Sequence, residues 1–255
     1  MHQASLPISV CMIVRNEAAR LPATLKALTS PDAPAFAEIR ITDTGSTDDT
    51  IAICRQLSCA VTSEPWQGFA RTRRLAFQKA SQPWILWIDA DEVMTLELRH
   101  EMARVFQSGM PACAGFEINR ISRADGRWIR HGDWFPDWNL RLFRAGEWSI
   151  EDRSVHESVS VRGEVQRLRG LLEHHTFRGW TEMRTRSERY AQLWAEQERA
   201  HARRTWPGFP TVRAMFAFLR GYVFRAGVLD GVPGLRIALN RAYETRLKHA
   251  LLRGS

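Results

Sequence analysis

The chain has 255 residues, 44% apolar and 25% charged, which suits one large α/β domain or one domain with a C-terminal extension. No apolar run is long enough to span a bilayer as a helix, and the N-terminus lacks a basic region followed by an apolar signal core, so nothing is expected to mark the chain for secretion. The net charge of +8 is unevenly placed: from His201 onward ten Arg and Lys face two acids, Asp230 and Glu244, so the C-terminal end carries the whole excess. Cys11, Cys54, Cys59 and Cys113 are scattered through apolar stretches without metal-ligand spacing and fit a reducing cytoplasm.

In chain order, Pro7 to Val14 is a continuous apolar run that predicts a strand buried on both faces, ended by Arg15-Asn16-Glu17. A helix with Leu21, Leu25 and Leu28 on one face follows. Glu38 to Thr42 predicts a second strand ending at Asp43. In Thr44-Gly45-Ser46-Thr47-Asp48, Gly45 permits a tight turn and Ser46 or Thr47 is the expected N-cap of a helix through Leu57. Cys59 to Thr62 is a third strand, Gly68 to Ala80 a basic helix with Arg71, Arg73 and Arg74, and Trp84 to Ile88 a fourth strand. After a helix over about Leu96 to Gln107, Ala114 to Ser122, the turn Asp125-Gly126 and Arg127 to Arg130 predict an antiparallel addition. His131 to Phe143 is dense in aromatics, and Trp148 to Val161 holds His156 and Glu157. Arg169 to Phe177 holds His174 and His175. From Trp180 the chain is helical in character, interrupted at Pro207-Gly208-Phe209-Pro210 and by a loop over 227–234. Strands alternating with helices predict a mainly parallel sheet with helices on both faces.

The stretch Trp84-Ile85-Leu86-Trp87-Ile88-Asp89-Ala90-Asp91-Glu92 ends an apolar strand in three carboxylates. Carboxylates that close repel one another and are costly to bury, so a divalent cation or helix capping is needed to relieve them. Oxygen ligands suit Mg²⁺ or Mn²⁺. In parallel sheets ligands bind beyond the carboxyl ends of the strands. Arg15, Asn16, Glu17, Asp43 and Asp89 all lie just past strand ends and should converge on one crevice, a set that capping explains poorly.

The ordered motifs Ile8–Glu17, Asp43–Asp48, Gly68-Phe69 with its basic helix, Trp87–Glu92, Asp137–Arg144 and Val155-His156-Glu157 resemble family-2 glycosyltransferases of GT-A fold. Within these they resemble the branch of bacterial lipopolysaccharide core glucosyltransferases. The resemblance covers roughly residues 7–180. It implies a catalytic domain over 1–180, with the nucleotide-sugar site in 1–110 and the acceptor part in 111–180, followed by a basic helical region, 181–255. It also implies an inverting transfer of a sugar, glucose by analogy, from a UDP-sugar to an inner-core heptose or Kdo. Arg15, Asn16, Glu17 and Asp43 would hold the uridine, Asp89 and Ala90 would face the ribose, and Asp91 would bind Mg²⁺ or Mn²⁺. Arg73 occupies a usually basic position facing the diphosphate; the next position, often Asn, is Arg74 here. The family's Glu-Asp pair survives only as Asp137, the candidate base for the acceptor hydroxyl, with Asp133 as its rival. A late His would add a metal ligand; His156 is favoured over His174. Glu157 would orient that His or contact acceptor. Glu92 has a hydrogen-bonding or helix-start role.

In Thr211–Ala226 aromatic and aliphatic side chains alternate with Arg213, Arg220 and Arg225, and Arg236, Arg241, Arg246, Lys248 and Arg253 extend the charge. Such helices either pack on the catalytic domain or lie on an anionic membrane, each basic residue adding about 1 kcal/mol near an anionic leaflet. The expected place is cytoplasmic, peripheral at the cytoplasmic face of the inner membrane. Two competing readings are a basic nucleic-acid-binding α/β protein and a catalytically silent glycosyltransferase-like scaffold. The chain carries no recognised nucleic-acid module, which argues against nucleic acid as partner. The intact Asp89-Ala90-Asp91 and Asp137 argue against a silent scaffold.

Overall fold

A computed structural model describes residues 5–151, 158–175, 179–199, 206 and 208–252. The chain folds as two compact units, one of residues 1–120 and 138–174 and one of residues 121–137 and 175–255.

The first unit begins β1 (Leu6–Val14), α1 (Leu21–Thr29), β2 (Phe36–Asp43), α2 (Thr50–Gln56), β3 (Ala60–Ser63), α3 (Phe69–Gln78) and β4 (Trp84–Trp87). It continues with β5 (Glu92–Met94), α4 (Leu96–Gln107) and β6, which starts at Gly115 and runs on to Ala124. β1 pairs in parallel with both β2 and β4, and β2 in parallel with β3, as the alternation of strands and helices predicts. After β7 (Arg127–Trp128), which pairs antiparallel with the end of β6 in the second unit, β8 (Asp137–Arg144) pairs antiparallel with β4. β9 (Trp148–Glu151) and β10 (Ser158–Val161) make a separate hairpin, and β11 (Val165–His174) pairs antiparallel with β5. The strand order is β3-β2-β1-β4-β8-β6-β11-β5.

Alternate residues of the central strands feed two separate cores, which is why their sequences read as unbroken apolar runs. Ile8, Val10 and Met12 of β1, with Trp84 and Leu86 of β4, pack against Leu21, Leu25 and Leu28 of α1 and Leu98 and Met102 of α4. Cys11, Ile85 and Phe143 point the other way, onto Ala70, Ala76 and Phe77 of α3 and Ile150 and Val159 of the hairpin. Arg99 of α4 is almost wholly buried and donates to the carbonyls of Ala27, Ser30, Ala33 and Pro34, clamping the α1–β2 loop.

The second unit holds α5 (Trp180–Arg199), α6 (Phe209–Leu219), a π turn over Arg220–Phe224, a 3-10 turn over Gly227–Asp230 and α7 (Gly231–Leu251). Tyr243 donates to Glu188 at 2.9 Å and Asn240 to Ser187 at 2.8 Å, tying α7 to α5. The stretch 227–234, expected as a loop, is helical almost throughout. Gly227 and Gly234 let the two turns close on each other, since a Cβ at Gly234 would sit 1.9 Å from the Gly227 oxygen. Among the described residues no helix is long and apolar enough to cross a membrane.

Two outcomes test this packing. β11 passes α4 so closely that a Cβ at Gly170 would lie 2.4 Å from the Leu98 Cα, so Gly170→Ala should cost about 1–3 kcal/mol in urea unfolding. Glu38 accepts from Ser9 of β1, from Arg40, and from both the N–H and the hydroxyl of Ser81 before β4. Burial alone would raise its pKa, but these donors outweigh that and hold it at about 2. A depressed carboxylate contributes stability above its unfolded pKa and loses it as pH falls toward the folded value. Stability should therefore fall between about pH 4.5 and 2 in the wild type, and that part of the profile should flatten in Glu38→Gln.

Candidate active site

The site is built where β1, β2 and β4 end. Val14 is in register with Asp43, and the Thr44 N–H donates to the Val14 carbonyl at 3.0 Å, so the loops after β1 and β2 leave the sheet side by side. They are then stitched together. Asn16, at a left-handed φ of 54°, donates its N–H to Ser46 Oγ at 3.0 Å and accepts the Thr47 N–H on its side-chain oxygen at 2.7 Å. The Glu17 N–H donates to Thr50 Oγ1 and the Ala18 N–H to Asp48. Asp43, buried, accepts from the N–H groups of Gly45 and Ser46. Ser46 and Thr47 are therefore not helix caps. Their polar groups are committed to Asn16, and α2 begins later, at Thr50, after an Asp49 that makes no side-chain cap bond. Arg15 is exposed beside this loop pair, and Glu17 lies 3.7 Å from Arg20.

Beyond β4 the three carboxylates separate into different environments. Glu92 is not at a helix start. It opens β5, is fully buried, accepts the Asp89 N–H at 2.9 Å, and forms ion pairs with Arg120 at 3.1 Å and with Arg141. Asp89 accepts from Arg73 at 3.2 Å, from the Trp87 indole N–H at 3.0 Å and from Arg141 at 3.4 Å. The guanidiniums of Arg73 and Arg141 lie 3.9 and 4.1 Å from the Trp87 ring centroid. Burial would raise the Asp89 pKa, but the charges of Arg141 and Arg73, the Trp87 hydrogen bond and Arg120 overcome it and hold the carboxyl far below the usual range. Ala90 is buried, and its carbonyl accepts from Thr24 of α1 at 2.8 Å, which fixes the turn between Asp89 and Asp91.

Asp91 is free of the arginine cage. Its Oδ2 lies 3.6 Å from Nε2 of His174, the last residue of β11, which sits opposite Glu92 in the β5 pairing. Burial and the charge of Asp89 raise the Asp91 pKa, but His174 and the more distant Arg20 prevail and lower it. One carboxylate and one imidazole at this separation suit a small divalent cation that takes its remaining oxygens from elsewhere, as from a diphosphate. Among the described residues no group of three His, Cys, Asp or Glu converges, so the described side chains alone do not form a closed cage.

The remaining candidates are placed differently. Asp137 opens β8, the strand that carries Arg141. Asp133, in the second unit, is buried between Arg220 at 3.1 Å and Arg225 at 3.0 Å, an arrangement that holds it as an internal counter-charge. Arg74 donates to the Ile150 carbonyl at 3.1 Å and so braces the β9–β10 hairpin. His156 and Glu157 lie outside the described residues. The residues that sequence reasoning missed are Trp87, Arg120 and above all Arg141. The signal was present: an arginine inside Leu140-Arg141-Leu142-Phe143, otherwise apolar, has to be buried, and a buried charge needs a partner.

Removing the carboxylate charge from Glu92 would take from the buried Arg141 its nearest counter-charge, leaving it only the longer contact with Asp89, and would break the Arg120 ion pair. Glu92→Gln should lower unfolding stability by about 3–5 kcal/mol, whereas the exposed pair Arg167–Glu117, broken by Glu117→Gln, should change it by less than about 1 kcal/mol.

The chain is 29% identical to the lipopolysaccharide core biosynthesis glycosyltransferase LpsC of Rhizobium meliloti over 262 aligned positions, covering 96% of this chain and 94% of that one. It is 37% identical over 101 residues to an uncharacterized glycosyltransferase of Rickettsia felis, where it spans 34% of the relative. Its fold is similar to that of S. aureus TarS residues 1–349, solved in complex with UDP-GlcNAc, with a TM-score of 0.50, 13% identity, and 96% of this chain and 91% of that chain covered. The family model described as Glycosyl transferase family 2 matches residues 9–163, well over half of the 255, and the chain therefore belongs to that family, on a GT-A type α/β fold with a helical C-terminal region.

Proposed function

We propose that this glycosyltransferase moves a sugar, glucose in the first instance, from a UDP-sugar to an inner-core heptose or Kdo of lipopolysaccharide, with inversion and with a divalent metal. The observation that carries the reading is the division of labour at the end of β4. Asp89 is neutralised by Arg73 and Arg141, while Asp91, two residues on, faces His174 without an arginine between them. A nucleotide-sugar site needs both halves: cations for the diphosphate and a carboxylate for the metal. The stitched loops at Arg15–Glu17 and Asp43 form the wall for uridine, with Asp89 and Ala90 toward the ribose. Arg73 faces the diphosphate across Trp87. Mg²⁺ or Mn²⁺ on Asp91 would supply charge neutralisation for the departing UDP. The proximity of His174 to Asp91 supports it as a second protein ligand, while His156 lies outside the described residues. Asp137 takes the proton from the acceptor hydroxyl. Its rival Asp133 has its charge already matched by two arginines. The likeness to LpsC over nearly the full length supports the acceptor class, and the UDP-GlcNAc complex of the TarS fold supports a UDP-linked donor. Residues 1–180 form the catalytic part in this reading. Residues 181–255 bring it to the cytoplasmic face of an anionic membrane, where a lipid-linked acceptor resides.

The test is UDP release from a panel of UDP-sugars with purified core oligosaccharide and Mg²⁺ or Mn²⁺. UDP-glucose should give the highest kcat/KM, and EDTA should remove activity. Asp91→Ala should lower kcat by at least about 100-fold with the fold intact by circular dichroism. Asp137→Asn should lower kcat by about 10²–10⁴-fold while leaving UDP affinity unchanged. Activity that survives EDTA, or an Asp137→Asn enzyme of normal kcat, overturns the corresponding assignment.

A further inference from the structure

The second unit carries a surface that the transfer chemistry does not use. On α6 and the π turn, Val212, Met215, Phe216, Leu219 and Val223 recur at helical spacing, and all are exposed. The π turn, closed by the Arg225 N–H on the Arg220 carbonyl at 2.9 Å, adds a residue to the helical circuit and brings Phe224 out beside Val223. The following 3-10 turn and the first turn of α7 add Val228, Leu229 and Val232. Phe224 is 73% and Leu229 69% exposed, more than any other large apolar side chain described. Isolated exposed apolar residues are ordinary, but a continuous stripe of them marks an interaction surface.

The inner side of the same hairpin is its opposite. There the chain crosses itself at glycines. A Cβ at Gly227 would meet the Gly221 oxygen at 2.6 Å, and one at Gly221 would meet Asp133 Oδ2 at 3.0 Å. The large side chains have no room inward, so the turn is a rigid wedge with its apolar groups held outside.

Charge decides what the wedge fits. The two acids from His201 onward are both turned inward. Asp230 is buried and accepts from the N–H groups of Arg130 and His131 and faces the His131 ring. Glu244 is buried against Lys248 and Arg241. Among the described residues of 206–252 the outer face therefore presents apolar groups and cations, with Arg213 exposed beside the stripe, Arg225 exposed while paired with Asp133, and no exposed carboxylate. Protein interfaces also enrich aromatic residues, Met and Arg, but the net +8 carried from His201 onward favours an anionic lipid interface, which asks for apolar groups flanked by arginines.

We propose that the turn 219–232 is a membrane-inserting wedge: Phe224 and Leu229 enter the acyl boundary of an anionic leaflet, and the exposed Arg213 lies at its phosphates. This rests on the reading of the acceptor as lipid-linked and gives the membrane contact a specific site.

The experiment is flotation of the full-length protein with vesicles of phosphatidylglycerol and phosphatidylcholine, and with phosphatidylcholine alone, comparing wild type with Phe224→Asp/Leu229→Asp. Both positions are exposed, so unchanged thermal unfolding is the folding control. The wild type should float with the anionic vesicles and the variant's bound fraction should fall by about tenfold or more. Equal flotation of the two proteins, or a wild type that does not float, overturns the proposal. So does a wild type that sediments as a dimer, becomes monomeric in the variant and ignores vesicles, which would assign the wedge to a second copy. Transfer to delipidated core oligosaccharide should be unchanged in the variant. Loss of that activity in the wild type would indict the acceptor reading instead of the wedge.

Discussion

The buried pairing of Glu92 with Arg141 is the constraint around which the first unit is arranged. A fully buried carboxylate and an almost fully buried guanidinium cannot be left unmatched, so β5 and β8 are held in place by a charge requirement as well as by their ladders. The same arginine reaches Asp89 and stacks on Trp87, and Arg73 does likewise from α3. One network thus connects the end of β4, the start of β5, β8 and α3. In the proposed function these are the elements that face the donor diphosphate.

That network also explains why three neighbouring carboxylates can coexist. Two are neutralised from within the protein, Glu92 by Arg141 and Arg120, and Asp89 by Arg73 and Arg141. Only Asp91 is left toward a histidine. Like charges this close would otherwise raise one another's pKa, and the outcome is the reverse for both aspartates because the arginine and histidine contributions outweigh burial and repulsion. The metal-ligating role proposed for Asp91 is a consequence of what its neighbours have been given to do.

The second unit follows the same rule with the opposite result. Asp133, Asp230 and Glu244 are spent on internal partners, leaving no exposed carboxylate among the described residues of 206–252. Internal satisfaction of acids shapes the outward field as much as the number of arginines does.

Much of this was legible in the chain. The strands were visible because sheets buried on both faces demand unbroken apolar runs, and the residues just past β1, β2 and β4 were visible because parallel sheets bind ligands at that edge. The turn chemistry was less legible. Ser46 and Thr47 have the right side chains for an N-cap, but Asn16, some 30 residues away, claims them. Gly227 to Gly234 reads as a loop, yet close packing of its glycines makes it helical. Glu92 lacked a role because β5 is three residues long and leaves no periodicity to read. By itself the sequence determined the order of the elements from β1 to β4, the family and the acidic strand end, since these depend on local hydrophobic pattern and on motif order. Only the tertiary structure decided which carboxylate is caged, which faces a histidine and which acids turn inward. Those outcomes depend on desolvation and charge pairing between residues as far apart as Glu92 and Arg141 or His131 and Asp230, which no local pattern encodes.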